Sequence, residues 1–269
     1  MSSSSDSARF ASLGRPRRIW AIGAVHAEID RLIALHDHIA GEFSPGDRLV
    51  YLGNLVGRGA AVTETVAEIL SFRRELLALP GMLVSDIVYL RGAQEEMWQK
   101  LLQLQFAPNP RDVLQWMLGQ GVAETLHAYG GGVEEGLAAA RDGAVQLTRW
   151  TNRLRGAMRD APGHVSLYSA LRRAAYTEDG RVLFVSAGID PARPLSAQGD
   201  SFWWGGGDFA GLSEPFFGVH RVVRGFDPAR GGVAVGDIGV TLDAGCGHGG
   251  KLAAARIDPQ GQIRELIEV

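Results

Sequence analysis

Three segments of the chain share one form: an apolar run that stops at a glycine and opens into a polar loop. They are Arg18-Ile19-Trp20-Ala21-Ile22-Gly23-Ala24-Val25-His26, Leu49-Val50-Tyr51-Leu52-Gly53-Asn54-Leu55-Val56-Gly57-Arg58-Gly59 and Asp86-Ile87-Val88-Tyr89-Leu90-Arg91-Gly92-Ala93-Gln94-Glu95-Glu96. A run rich in β-branched residues and bounded by such a loop reads as a buried strand delivering the loop to the end of a sheet. Three of them in succession predict strand ends that converge on one edge, where loops carry sites.

The intervening segments agree. Ala27 to Gly41 places Ile29, Leu32, Ile33, Leu35 and Ile39 at helical spacing, followed by the turn Ser44-Pro45-Gly46-Asp47. Ala61 to Leu77 repeats the pattern with Val62, Val66, Ile69 and Leu70 and ends before Pro80-Gly81. Strands alternating with amphipathic helices predict an α/β fold with a mainly parallel sheet under helices. From about residue 95 to 173 the chain reads as a largely helical insertion, interrupted at Gly130-Gly131-Gly132, with Trp98, Trp116 and Trp150 as core or inter-helix packing. Strands return at Arg181 to Ser186, Val219 to Val223, Val240 to Leu242 and Lys251 to Ile257.

At 269 residues and 46% hydrophobic content the chain can bury a substantial core. A single domain over 17–269 is expected, preceded by a disordered, Ser-rich arm over 1–16. The net charge of -3 argues against general nucleic-acid binding. Cys246 is the only cysteine, which excludes an internal disulfide or cysteine zinc site and suits a reducing, cytoplasmic setting. No run approaches the roughly 20 apolar residues of a membrane span, and the start lacks the apolar core of a secretory signal.

The three strand endings resemble those of the calcineurin-like metallophosphoesterases, phosphoprotein phosphatase type, a group that includes bacterial serine/threonine protein phosphatases and diadenosine tetraphosphatases. That family carries G-D-x-H-G, G-D-x-x-D-R-G and G-N-H-E where this chain has Gly23 to Ala27, Gly53 to Gly59 and Gly92 to Glu95. The likeness continues through Phe184 to Ile189, Trp203 to Gly206, Gly225 to Pro228, Asp243 to Cys246 and Gly249 to Leu252. It implies mixed β-sheets stacked as a sandwich, flanked by helices, with a largely helical insertion.

The same likeness implies a depleted centre. The family holds two divalent metals that activate water for attack on phosphorus. Its ligand positions fall here on Ala24, His26, Asn54, Ala93, Ser186 and Phe226, so only His26 is retained. The general-acid histidine falls on Gln94, and the aspartate that orients it falls on Gly57. An amide does not deliver a proton near neutral pH. The phosphate-gripping arginine of the second motif is kept as Arg58, while the W-x-R arginine falls on Gly206.

The expectation is therefore a pseudophosphatase with no catalytic residues and no metal cofactor, acting as a binding, scaffolding or regulatory module. Its expected partner is another protein, or a phosphorylated or anionic ligand, rather than nucleic acid or membrane. The alternative is a residual phosphoesterase, acting on phosphoproteins or dinucleoside polyphosphates with weakly held Mn, Fe or Zn. With acidic positions lost at Ala24, Asn54 and Gly57, the old site leans positive. Arg58, His26 and Asn54 are its anion-binding candidates. The other reading of these residues is that Arg58 pairs locally and His26 is a satisfied buried histidine. Glu95 and Glu96 read as helix-start acids, and Asp243, Cys246 and His248 as a structural turn without catalysis.

Overall fold

The computed structural model of the protein describes residues 9–207 and 209–269. Among the described residues eleven strands, numbered in chain order, form two mixed sheets. One is built from β2 (Ile19–Ile22), β3 (Arg48–Tyr51), β4 (Ile87–Tyr89), β10 (Ala253–Ile257) and β11 (Ile263–Glu268), in the spatial order β11-β10-β2-β3-β4. The other contains β1 (Phe10–Ser12), β5 (Ala174–Tyr176), β6 (Val182–Val185), β7 (Arg221–Arg224), β8 (Ala234–Val235) and β9 (Gly239–Thr241), ordered β1-β5-β6-β7-β9-β8. Strands β2, β3 and β4 run parallel, as do β6, β7 and β9.

Side-chain alternation along the strands explains why these runs are apolar throughout. Ile19, Ala21 and Val50 face the opposite sheet and meet Val182, Phe184, Val223 and Val240 in one buried cluster. Their neighbours Trp20, Ile22, Leu49 and Tyr51 point the other way, onto α1 (Ile29–Glu42) and α2 (Val62–Leu77). On the second sheet Leu183, Val185 and Val222 turn toward the helical insertion. A strand buried on both faces has no polar alternation to show.

The insertion comprises α3 (Ala93–Leu101), α4 (Pro110–Met117), α5 (Ala123–Ala128), α6 (Val133–Arg141), α7 (Ala144–Asp160) and α8 (His164–Ala170), and a short α9 (Ser201–Trp204) follows after β6. Between α4 and α5 lies one π-helical turn, Leu118–Val122, in which Gly121 takes a φ of 101°. Trp98 and Trp150 are buried as expected, but Trp116 is 49% exposed. No helix among the described residues is long and apolar enough to cross a membrane.

One boundary differs from the sequence expectation. The segment read as a disordered arm contains β1, which pairs in parallel with β5. Phe10 and Leu13 are the reason: both are buried, and Phe10 packs edge-on against Phe202 at 6.1 Å. Two apolar side chains in a polar stretch suffice once a sheet edge receives them. Residues 1–8 of that arm lie outside the described residues.

Candidate functional site

The ends of β2, β3 and β4 meet the ends of β6 and β7, and backbone hydrogen bonds lock the loops together. The Ala24 N–H donates to the Gly225 carbonyl at 3.0 Å, and the Gly225 and Phe226 N–H groups both donate to the Ser186 carbonyl. Val25 and His26 donate to the Asn54 carbonyl at 3.0 and 2.8 Å, and Gly59 donates to that of His26. Gly23 has to be a glycine, because a Cβ there would lie 2.1 Å from the Leu242 carbonyl oxygen.

Glu95 holds the second loop, a larger role than starting a helix. Its carboxylate is fully buried and accepts the backbone N–H groups of Asn54 at 2.9 Å, Leu55 at 2.7 Å, Val56 at 3.3 Å and Gly92 at 2.8 Å. Burial pushes its pKa up, against the downward pull of those donors. Both oxygens are thereby occupied.

Around this clamp a cavity of about 130 Å³ opens, lined by His26, Asn54, Arg58, Ala93, Gln94, Gln120, Phe226, Trp204 and Arg230 among others. Five positions carried over from the family likeness, together with Arg58, thus share one space. Ser186 and Ala24 are buried in the surrounding strand ends. Gly57, with a φ of 84°, sits beneath Gln94, whose amide oxygen would be 2.2 Å from any Cβ placed there. The Gln94 side chain fills the room that an aspartate at 57 would need. It also donates from Nε2 to the Gln120 carbonyl at 2.8 Å, while the Arg58 N–H reaches the Gly121 carbonyl at 2.9 Å. The π-helical turn of the insertion is in this way tied to the floor of the cavity.

The cavity combines strain with unmet hydrogen-bonding capacity. His26, Asn54 and Arg58 all have left-handed backbone, with φ of 51°, 51° and 63°. Such conformations cost on the order of 1–3 kcal/mol each and collect at functional sites. Both ring nitrogens of His26, Nδ2 of Asn54, Nε of Arg58, Oε1 of Gln94 and Oγ of Ser186 are buried without a hydrogen-bond partner. Buried polar atoms are ordinarily paired, so a cluster of unpaired ones makes this cavity the candidate site.

Its electrostatics favour negative charge. Burial, helped by the nearby Arg58 and His248, lowers the His26 imidazole to about 3. Arg58 is lowered by desolvation and by Arg230, and His248 by desolvation and by both arginines. The His26 ring meets those of Phe226 and His248 edge-on, at 5.8 and 6.1 Å.

Paired dications need carboxylate or other anionic oxygen donors, one of them bridging. The carboxylates near this site are already engaged. Glu95 is clamped; Asp243 accepts the N–H groups of Asp227 and Gly245; Asp227 pairs with Arg224 at 3.0 Å. Asn54 offers one oxygen, and it accepts the Gln94 N–H at 3.0 Å. The residues present do not fit a two-metal centre. Among the described residues, three potential ligands come together only at His38, Glu42 and Glu265, where Arg256 already pairs with both glutamates.

The site also gathers residues that the sequence does not assign to it. Arg230 follows the Gly225 to Pro228 motif closely enough to be a candidate. His248 belongs to the turn read as structural, and Trp204 to the Trp203 to Gly206 segment of the family likeness, whereas nothing local marks Gln120, which arrives through tertiary packing.

No known family profile matches the chain, and no curated protein matches it in sequence. Solved structures do resemble it. A candidate diadenosine tetraphosphatase superposes with a TM-score of 0.56 at 17% identity, covering 97% of this chain and 98% of that one. A serine/threonine phosphatase from Saccharomyces cerevisiae gives 0.53 at 15% identity, covering 97% and 82%. A cold-active protein-tyrosine phosphatase from a psychrophilic Shewanella gives 0.50 at 15%, covering 98% and 84%. The chain has the calcineurin-like metallophosphoesterase fold.

Proposed function

We propose that this protein is a pseudophosphatase, a phosphoesterase fold that binds an anionic, phosphate-bearing ligand without hydrolysing it and acts as a binding or regulatory module. The observation that carries the reading is the cavity at the strand ends. It sets Arg58, Arg230, His26 and His248 around unpartnered donors, while every nearby carboxylate is committed to other groups. A phosphate oxygen accepts from Arg58 Nε and Asn54 Nδ2, and its charge offsets the two arginines. Hydrolysis would further require an activated water and a proton for the leaving oxygen. Gln94 cannot supply that proton, and the local donor set does not suit a metal pair.

The test combines two measurements. Inorganic phosphate should raise the melting temperature saturably, since a ligand bound only by the folded state stabilises it by about 2.7 kcal/mol at 100 times its Kd. After incubation with manganese, the protein should retain less than one metal ion per chain and turn over no aryl phosphate. Stoichiometric metal with steady turnover would overturn this reading in favour of a residual phosphoesterase with a single metal held around His26 and Asn54.

A further inference from the structure

A second and larger cavity lies on the flank of the molecule where both sheets end. Strand β1 is the outer strand of one sheet and β4 the outer strand of the other, and an isolated bridge between Leu90 and Arg172 lies beside them. The gap between them is closed by α2, α8 and the turn at Val84–Asp86, which leaves a groove of about 650 Å³. It shares no lining residue with the strand-end site.

Its chemistry is one-sided. The body is apolar, walled by Phe10, Leu70, Ile87 and Leu167. Among the described residues the charged groups that line it are Arg73 and Arg172, and no carboxylate does. Neither arginine forms an ion pair among the described residues; Arg172 donates to the Ala170 carbonyl at 2.9 Å and to the Leu171 carbonyl at 3.3 Å. The remaining polar groups are serine and tyrosine hydroxyls, all able to donate. The apolar surface continues past the rim at Leu83 and Val84, which are 62% and 63% exposed. Small-molecule sites typically occupy about 300–1,000 Å³ and pair apolar walls with a few polar groups that fix orientation.

We infer that this groove binds a small amphipathic monocarboxylate, with its hydrocarbon or aromatic body between the two sheet edges and its carboxylate against Arg73 and Arg172. Charge complementarity selects the head group, because two half-buried guanidinium groups without a carboxylate counterpart are completed by one anion. The apolar walls select the tail. The inference stands independently of any ligand at the strand ends.

The experiment titrates the full-length protein with decanoate and reads its melting temperature, with decanol as the uncharged control. Decanoate should give a saturable rise, and decanol a clearly smaller one. Arg73→Ala should weaken decanoate roughly tenfold or more, the usual loss for a hydrogen bond to a charged group. Ala170→Trp, placed at an exposed position on the groove wall, should fill the space and abolish the shift while circular dichroism stays native. If that variant misfolds, Ser166→Phe on the same wall serves the same purpose. No rise, an equal rise with decanol, or a rise that survives filling of the groove would each overturn the inference.

Discussion

Two neighbourhoods that touch at residues 54–56 have been treated in opposite ways. Around Glu95 the backbone is satisfied: four N–H groups converge on one buried carboxylate, which ties the loops after β3 and β4 together. A few ångströms away, at His26, Asn54, Arg58 and Gln94, buried polar atoms have no partner at all. The contrast teaches that the scaffold delivering the site and the chemistry within it are separable. The backbone frame is completed by the protein itself, whereas the cavity leaves several polar atoms without a protein partner.

The strongest way to break this contrast is to remove the clamp. Glu95→Ala strands four buried N–H groups, each costing about 1–3 kcal/mol when unsatisfied. Allowing for shared relaxation, the variant should lose at least about 3 kcal/mol in chemical denaturation and should no longer respond to phosphate. A loss below about 1 kcal/mol would show that the strand-end loops hold themselves.

Acid tests the other neighbourhood. The His26 pKa in the folded protein, about 3, lies below its ordinary 6.5, so the unfolded chain takes up the proton first as the pH falls. Its contribution is fully present above about pH 6.5 and is lost on the way down to about 3, at up to about 1.4 kcal/mol per pH unit. His36, His164 and His248 are also lowered, chiefly by burial, and act in the same direction. His26→Asn, which tolerates the left-handed backbone, should flatten the slope of unfolding free energy between pH 6.5 and 4. An unchanged slope would place the acid sensitivity elsewhere.

A smaller effect probes how the cavity lost its acid. Gly57→Ala should cost about 1–3 kcal/mol, from a left-handed backbone and from the clash with Gln94. Adding Gln94→Ala should return the steric part but not the backbone part, so the two changes should be clearly non-additive in a double-mutant cycle. Strict additivity would mean that the two residues do not compete for the same space.

The sequence made the frame legible because strands buried on both faces and helices with one apolar stripe leave strong periodic signals, as at Ile19–Ile22 and Val62–Leu77. The family likeness also assigned His26, Asn54, Arg58, Ala93, Gln94 and Phe226 to one site, and they line one cavity. Long-range assembly remained hidden. Strand β1 exists only because β5, far along the chain, receives Phe10 to Ser12. Glu95 looked like any acid in a first helical turn, since its loop partners lie some forty residues upstream. Trp116 looked like a core residue until its helix was seated with that ring half in solvent, edge-on to Trp204 at 5.3 Å.

The mildest perturbation of the fold is the sharpest question about the cavity. Arg58 is half-buried, and its guanidinium Nε has no partner. Removing that side chain should change stability little in the absence of ligand, by well under the cost of breaking the clamp. The pKa of both His26 and His248 should rise in its absence, because Arg58 lowers each. Arg58→Ala should nonetheless erase most of the melting-temperature rise produced by phosphate, and Arg58→Lys, a point charge without the forked donor, should restore only part of it. A phosphate response identical in all three proteins would locate the anion elsewhere and leave the unpartnered atoms of the cavity without the ligand assigned to them.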